Sequence, residues 1–180
     1  MDVRKVVAYE LLSLDGVAEQ PDAFVTEFDE VMRENLGRVI AAQDAVLLGR
    51  RTYDEWARFW PASDIQPFAD FINGVQKFVV TSAPLDQPWR NATVVKGELS
   101  DFITELKAQP GGDIGVHGSI DLAQRLLAEG LIDELRLVIA PAVQRHGRKL
   151  FDKSLQKRLV PTRSLLSPAG YLLDDYAFTS

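Results

Sequence analysis

The sequence predicts a three-layer α/β fold, in which a central, mostly parallel sheet carries helices on both faces and ends in antiparallel strands. Short apolar segments alternate with helix candidates along most of the chain, which is typical of strand–helix–strand crossovers. The segment 45–48 is apolar at every position, as expected of a strand buried on both faces. After residue 135 no long helix pattern occurs, and this favours antiparallel strands at the end of the sheet.

The spacing of apolar residues places each element. The predicted strands are mostly four to eight residues long and are bounded by turn residues: 5–12, 45–48, 77–81, 93–95, 114–116, 135–140 and 172–178. The predicted helices have apolar residues at intervals of three and four: 22–42, 52–58, 67–73, 100–108 and 120–129. Asp22 or Thr26 is expected to start the first helix, and Ser100 and Ser119 are expected to cap the last two.

Composition limits the class of protein. The 180 residues fit one domain, 1–180, and 46% hydrophobic with 26% charged residues is typical of a soluble globular chain. The absence of cysteine excludes disulfides, thiolate metal sites and cysteine nucleophiles. A net charge of -6 argues against binding to nucleic acid or to an anionic membrane through overall electrostatic attraction. Asp2 and a short apolar run do not resemble a signal peptide, so we expect a cytoplasmic protein.

The turn after the second predicted strand favours an anion. Gly49 permits a tight exit from the strand, and the next helix is expected to start near Thr52, whose hydroxyl would cap it. Unpaired N–H groups and the helix dipole attract anions at such a start. Arg50 and Arg51 add guanidinium groups that suit phosphate oxygens. The alternative is that both arginines are merely solvated and that Thr52 is only a cap.

Two further turns occupy the same topological place, beyond the carboxyl ends of strands, where open α/β sheets bind ligands. Thr81 and Ser82 offer hydroxyls directly after one strand. Gly118 and Ser119 follow another strand; Gly118 permits close approach of a ligand, and Ser119 either caps the next helix, which is favoured, or binds phosphate. Together the three turns predict one elongated anion-binding groove.

Four motifs in this order resemble the dihydrofolate-reductase-like superfamily: SLDGVA, LLGRRTYDEW, VVTS and a segment that begins GVHGSID. The greatest similarity is to the C-terminal reductase domain of bifunctional riboflavin-biosynthesis proteins and its stand-alone relatives. It extends over nearly the whole chain, from about Lys5 to Phe178. The resemblance implies a dihydrofolate-reductase-like fold with an antiparallel C-terminal hairpin, NADPH across the strand ends, and a homodimer.

The resemblance also assigns residues to the cofactor. They are Gly49, Arg50 and Thr52 at the phosphates, Thr81 and Ser82 near the adenosine and its 2′-phosphate, and Gly118, Ser119 and Ile120 beside the pyrophosphate and nicotinamide. Arg51 joins this set as a second guanidinium in the first turn. A 2′-phosphate is bound by positively charged side chains, which would explain the arginines in this turn.

The substrate is expected at the end of the first strand, where the SLDG segment borders the reaction pocket in this family. Ser13 and Asp15 are therefore candidate substrate-binding residues, and Asp15 is a candidate for proton handling. An equally weighted alternative is an Asx turn, in which Asp15 binds its own backbone before Gly16.

A second group of carboxylates lies near the predicted pocket: Glu19, Glu27, Asp29 and Glu30. One of them on the inner face of the first helix could take the acidic role that dihydrofolate reductase gives to a single carboxylate. We take Glu27 as the catalytic candidate, although helical spacing alone does not choose. Glu27 and Asp29 point about 200° apart on a helix, so at most one faces a ligand.

Other side chains near the predicted site have less specific patterns. Trp60 is the better candidate for a pocket wall against a flat heterocycle, whereas Trp56 and Phe59 have the spacing of core residues. The basic loop 144–149 is expected to be solvated, and the alternative is that it binds an anionic substrate. His117 and His146 have no nearby His or Cys partner, so no metal is expected.

These observations predict an NADPH-dependent reductase that delivers hydride to a C=N or C=O bond of a small, pyrimidine- or pterin-like substrate. The alternative is a non-catalytic NADPH- or ligand-binding protein with the same fold, since no unmistakable acid or base is visible. Dihydrofolate reductase activity itself ranks lower, because the first strand runs into SLDG without the tryptophan-containing substrate loop of that enzyme.

Overall fold

The structure is a computed structural model that describes residues 3–152 and 155–179. Asp2 lies outside these ranges. Within these ranges eight strands form one sheet: β1 (Val6–Leu12), β2 (Gln43–Gly49), β3 (Gln76–Val80), β4 (Ala92–Val94), β5 (Asp113–His117), β6 (Glu134–Ile139), β7 (Leu159–Leu166) and β8 (Leu172–Phe178). Five α-helices accompany them: α1 (Glu30–Ala41), α2 (Arg50–Phe59), α3 (Phe68–Gly74), α4 (Leu99–Ala108) and α5 (Ile120–Ala128).

The strand order is β4-β3-β2-β5-β1-β6-β8-β7. Strands β1 to β6 pair in parallel, β8 is antiparallel to β6, and β7 is antiparallel to β8. The predicted fold class is therefore confirmed, including the antiparallel end. The order also makes β3, β2, β5 and β1 consecutive, so the carboxyl ends of these four strands share one edge of the sheet.

Two apolar cores lie on opposite faces of the sheet. Helices α1, α2 and α3 cover one face, and their buried side chains include Met32, Leu36, Tyr53, Phe68 and Ile72. Helices α4 and α5 cover the other, and their buried side chains include Leu99, Ile103, Leu122 and Leu126. The alternation of side chains along β1 shows the division, since Ala8 and Leu12 pack with the second core and Tyr9 packs with the first.

The prediction of one helix over 22–42 is wrong for its first third. Residues 21–23 form a single 3-10 turn, and α1 begins only after Asp29, whose carboxylate accepts the N–H of Met32 at 2.9 Å. The same carboxylate accepts the N–H of Ala169, and the Tyr171 hydroxyl accepts the N–H groups of Thr26 and Glu27. The hairpin that joins β7 and β8 thus supplies hydrogen bonds that a longer helix would otherwise supply.

Strand β7 was not predicted as a separate strand. It lies at the edge of the sheet, most of its side chains are exposed, and it contains Pro161. A strand with few buried apolar residues and a proline gives no alternating pattern. Of the helix starts, α4 begins after Glu98 and not at Ser100. Among the described residues, no helix is both long enough and apolar enough to cross a bilayer.

Removing the Leu47 side chain should destabilise the fold strongly. Leu47 is fully buried in β2 between the two layers of helices, and Leu→Ala at such sites costs about 3 kcal/mol or more through lost transfer energy and the cavity left behind. Urea denaturation of Leu47→Ala measures this loss. Leu166→Ala, the same change at a position that is 63% exposed on β7, should cost less than about 0.5 kcal/mol; equal losses would contradict this description of the core.

Candidate cofactor and substrate site

The three predicted anion-binding turns lie side by side. Strands β3, β2 and β5 are neighbours and parallel, so the turns that begin at Thr81, Gly49 and Gly118 leave the same edge of the sheet. Helix α2 starts directly after β2, and Gly118 and Ser119 separate the end of β5 from the start of α5. Two helix N-termini therefore lie next to each other at this edge, as a ligand with two phosphate groups would require.

The expected capping role is wrong for Thr52, whereas Ser119 does occupy the N-cap position but does not cap the helix with its side chain. Helix α2 begins at Arg50 with Gly49 as its N-cap, so Thr52 lies inside the first turn. Ser119 is the N-cap residue of α5, but no side chain caps either helix. The Ser119 hydroxyl instead accepts the backbone N–H of Gly49 at 3.0 Å. This hydrogen bond joins the two turns and leaves the first-turn N–H groups of both helices without a side-chain acceptor.

Arg50 connects the first turn with the loop after β3. Its Nε donates to the Asp54 carboxylate at 2.9 Å, and Nη2 forms an ion pair with Asp86 at 2.7 Å. Its Nη1 donates to the carbonyl oxygen of Pro84 at 2.7 Å. These carboxylates raise the pKa of Arg50 further above its ordinary value, with the hydrogen bond to Asp54 as the main cause. Arg50 is therefore a bridge between two of the turns.

The remaining candidate cofactor-binding residues differ in whether their side chains are free to contact a ligand. Arg51 is exposed, forms an ion pair with Glu55 on the next turn of α2 at 3.2 Å and lies near enough to Glu19 to help lower the pKa of that carboxyl; a stronger anion would replace such an exposed pair at little cost. Thr81 accepts the N–H of Ala83 through its Oγ1 at 3.2 Å, and Ser82 is exposed. Ile120 is buried at the start of α5. Ile120 therefore contributes packing and its backbone N–H.

Gly118 is the one residue of the groove whose backbone requires glycine. Its φ is +67°, and a Cβ there would lie 3.3 Å from the Trp56 ring. The residue is nevertheless exposed on its other side. A ligand can thus approach the Gly118 backbone closely, while the indole of Trp56 supports the turn from beneath.

The SLDG turn holds the basic loop in place. The Asp15 carboxylate accepts the Ser13 hydroxyl at 2.6 Å and the backbone N–H groups of Gln144 and Arg145 at 3.0 and 2.9 Å. These donors, with Ser13 first, hold the pKa of Asp15 well below its ordinary value. The Ser13 hydroxyl also accepts the N–H of Val17. Both side chains thus hold the loop, and Asp15 stays an anion at neutral pH, where it has no proton to deliver and is a weak base.

Glu27 lies in the segment before α1 and is exposed. The helical geometry that separated it from Asp29 does not apply, because neither residue is inside a helix. Asp29 is occupied as the N-cap of α1. Helical geometry therefore does not fix the direction of the Glu27 side chain, which is exposed to solvent.

The basic loop is tied to its surroundings by Arg148. This side chain pairs with Glu19 at 3.2 Å and with Asp121 in the first turn of α5. Arg145, His146 and Lys149 are exposed. The loop therefore rests on both the SLDG turn and the start of α5, at one end of the groove.

A buried cluster of polar and aromatic side chains lies beneath the groove, on the face covered by α1, α2 and α3. Tyr9 and His117 are paired neighbours on β1 and β5 with ring centroids 5.7 Å apart. Phe68 packs against His117 at 5.3 Å and against Trp60 at 4.9 Å. Trp60 is thus part of this cluster, and it also contacts Phe59.

Four polar atoms in this cluster are buried without a hydrogen-bond partner: Tyr9 Oη, Gln43 Nε2, Trp60 Nε1 and His117 Nδ1. Burial of a polar group without a partner costs on the order of 1–3 kcal/mol. The cluster therefore keeps hydrogen-bonding capacity that the described protein atoms do not satisfy. Burial lowers the pKa of His117 to about 3 and raises the pKa of Tyr9, so both groups are neutral at physiological pH.

Gln43 reaches this cluster over a glycine. Gln43 Oε1 lies 2.8 Å from His117 Nε2. A Cβ on Gly115, which lies between them along the sheet, would come within 2.1 Å of Gln43 Oε1. Sequence reasoning missed Tyr9 and Gln43. The available signal was a polar side chain inside an otherwise apolar strand, since such residues are rarely buried without a purpose.

No group of three or more side chains that could ligate a metal occurs in the part of the chain that the structure describes. The donors gathered at the sheet edge are backbone N–H groups, hydroxyls and guanidinium groups, and these suit phosphate oxygens.

The strand order, the antiparallel end and the groove define a dihydrofolate-reductase-like α/β protein. Within that class, the sequence model of the RibD C-terminal domain matches residues 4–173, and the chain belongs to this family. It is 26% identical over 176 residues to YyaP of Bacillus subtilis, with 91% of this chain and 90% of the relative covered. YwjB of the same organism is 28% identical over 151 residues, with 82% and 83% covered.

Solved structures show the same fold at low sequence identity. A putative riboflavin biosynthesis protein from Shewanella sp. PV-4 superposes with a TM-score of 0.79 at 19% identity, covering 98% of this chain and 99% of that one. A pyrimidine reductase-like protein from Corynebacterium diphtheriae gives 0.69 at 16% identity, covering 98% and 92%. RibD of Acinetobacter baumannii gives 0.64 at 16% identity; this chain covers 58% of its length.

Asp15→Asn should loosen the basic loop. The substitution removes the charge that accepts three donors, so trypsin should cleave after Arg145 and Arg148 faster than in the wild type. Because the pKa of Asp15 is lowered on folding, its stabilisation is present above the unfolded value near 3.8 and is lost as the pH falls. The stability gap between wild type and variant should therefore shrink below about pH 4. Asp101→Asn, on the exposed start of α4, is the control; identical cleavage in all three proteins would contradict this role.

Proposed function

We propose that this protein is an NADPH-dependent reductase that transfers hydride to a C=N or C=O bond of a small, flat heterocycle. The observation that supports it most is the pair of adjacent helix N-termini at α2 and α5, both without side-chain caps and joined by the bond from Gly49 N–H to Ser119 Oγ. Membership of the RibD C-terminal domain family agrees with a reductase.

The residues present fit the cofactor. First-turn N–H groups of both helices would hold the pyrophosphate, and the exposed guanidinium of Arg51 and the hydroxyls of Thr81 and Ser82 would hold the 2′-phosphate end. Gly118 admits the close approach that the nicotinamide end needs. When bound, the reduced nicotinamide supplies the hydride. The chain contributes position, since the groove fixes the cofactor along the sheet edge next to the buried cluster.

The buried cluster suits an uncharged substrate. Tyr9, Gln43 and His117 offer neutral hydrogen-bonding groups, and Phe68 and Trp60 offer ring faces. A charged group placed here would lose its hydration without gaining an ion pair. We therefore assign the heterocycle to the open side of the groove beside the SLDG turn, with this cluster as the uncharged wall behind it, and any anionic substituent of the substrate to the exposed cations of the basic loop.

The proton that completes the reduction is assigned to water. Asp15 is held as an anion and His117 as a neutral ring, so neither side chain delivers a proton near neutral pH. The exposed carboxylate of Glu27 is the remaining candidate to orient such a water.

Titration with NADPH tests the proposal directly. Binding should quench tryptophan emission by energy transfer to the reduced nicotinamide, because the Trp56 ring supports Gly118. Absence of binding at millimolar NADPH would overturn the cofactor assignment. Binding combined with NADPH oxidation by one member of a panel of pyrimidines, pterins and imines would support the reductase. Tight binding without oxidation of the whole panel would favour the non-catalytic alternative.

Arg51→Ala should weaken NADPH binding. The Arg51 side chain is 70% exposed, against 26% for Arg50, and loss of a charge-assisted bond to phosphate of about 1.4 kcal/mol would raise the Kd about tenfold. The effect should decrease at high salt. Arg58→Ala, at the other end of the same helix, is the matched control and should stay within about twofold of the wild type. Equal effects of the two substitutions would remove Arg51 from the site.

A further inference from the structure

Glu10 is a buried carboxyl group in the central strand β1. It is 2% exposed, and its neighbours in alternation, Ala8 and Leu12, pack in the core beneath α4 and α5. Its side chain therefore lies on the opposite face from Tyr9 and His117. A glutamate in this position contributes nothing to the apolar core, so its presence calls for a polar function.

The Glu10 carboxyl reaches the glycine turn of the groove. Glu10 lies beside Gly118, because Tyr9 pairs with His117 across β1 and β5, and the Gly118 N–H is close enough to oppose the rise in the pKa of this carboxyl. Its Oε1 is buried and has no hydrogen-bond partner. Gly118 thus has Glu10 on one face of the sheet and Trp56 on the other, and the residue itself is exposed at the groove.

We propose that Glu10 is a positioning residue for the Gly118 turn and that it acts in its protonated form, so that binding of a phosphate-bearing cofactor is coupled to retention of a proton on Glu10. This inference rests on the proposed function. A neutral carboxyl still accepts the Gly118 N–H, whereas a carboxylate would place a negative charge behind the turn that holds the anion. Burial raises the pKa of Glu10 to about 8, although the Gly118 N–H opposes that rise.

Few charged groups surround Glu10 within the described residues. On α5, Asp121 is paired with Arg148 at the surface. On α4, Lys107 pairs with Asp133 before the start of β6. Glu134 and Arg136 pair with each other at the amino-terminal end of β6. None of them is a cause of the shift in the pKa of Glu10, which comes from burial and from Gly118.

Two other buried groups need to be separated from Glu10. His117, on the other face of the sheet, has a pKa of about 3 and does not titrate near pH 8. Lys77 has a pKa lowered to about 8 by burial, but it is the second residue of β3, far from the carboxyl edge, and its Nζ donates to the carbonyl oxygens of Ile72 and Val75. Lys77 is present in both the wild type and the Glu10 variants. Its titration therefore affects both Kd profiles equally and cancels when they are compared.

The test is the pH dependence of NADPH affinity from about pH 7 to about pH 9.5, where the 2′-phosphate, with a pKa near 6, is already ionised. In the wild type the Kd should rise above pH 8, by at most tenfold per pH unit because one proton is linked. Glu10→Gln keeps an acceptor for Gly118 without the charge, so its Kd should vary less than about twofold. Glu105→Gln, exposed on α4, should keep the wild-type profile.

Glu10→Leu separates position from charge. It removes the acceptor, so NADPH binding should be several-fold weaker at every pH and should show no rise above pH 8. Parallel Kd profiles of wild type and Glu10→Gln would overturn the proposal, whereas absence of NADPH binding at any pH would overturn the proposed function instead. If neither variant folds, calorimetry of the wild type at pH 8 in two buffers of different ionisation enthalpy decides: proton uptake on NADPH binding supports the coupling, and no uptake overturns it.

Discussion

The position of β2 between β3 and β5, with all three strands parallel, is the constraint on which the rest of the structure depends. A strand with neighbours on both sides and helices on both faces must be apolar throughout, and residues 45–48 meet that condition. Because the three strands end at one edge, the N-termini of α2 and α5 are brought together, and Ser119 can bind the Gly49 backbone directly. The groove is thus a consequence of strand order more than of any single motif.

The sequence predicts the buried strands well and the exposed elements poorly, for one physical reason. Burial on both faces leaves a largely apolar run, so strands β1, β2, β3, β5 and β6 could be placed within about two residues. The edge strand β4 was placed as closely, although its side chains are partly exposed. Strand β7 is exposed and gives no such pattern. The segment before α1 has apolar residues at helical spacing because Phe24 and Phe28 pack on the core. What delays the start of the helix is a set of contacts with the hairpin near Tyr171, about 140 residues away, which no local pattern contains.

The candidate site divides in the same way. The residue types of the three turns were predictable because backbone and dipole favour an anion at any strand-to-helix turn of this topology. Their partners were not, since Ser119 binds another turn and Asp15 binds the backbone of a loop 129 residues away. Glu10 and His117, which are buried titratable residues in central strands, were not predicted as site residues. Burying a titratable group in a central strand costs free energy, so such a residue points to a function. The spacing of apolar residues does not reveal it.

The contact between Gln43 and His117 fixes which ring nitrogen carries hydrogen. Gln43 Oε1 can only accept, so His117 Nε2 must be the protonated nitrogen and Nδ1 presents a lone pair. With a pKa near 3 the ring keeps this tautomer at physiological pH. Among the described residues Nδ1 has no hydrogen-bond partner and is buried. The face of the sheet under α1, α2 and α3 thus encloses a neutral ring whose second nitrogen can take up a donor and cannot supply one.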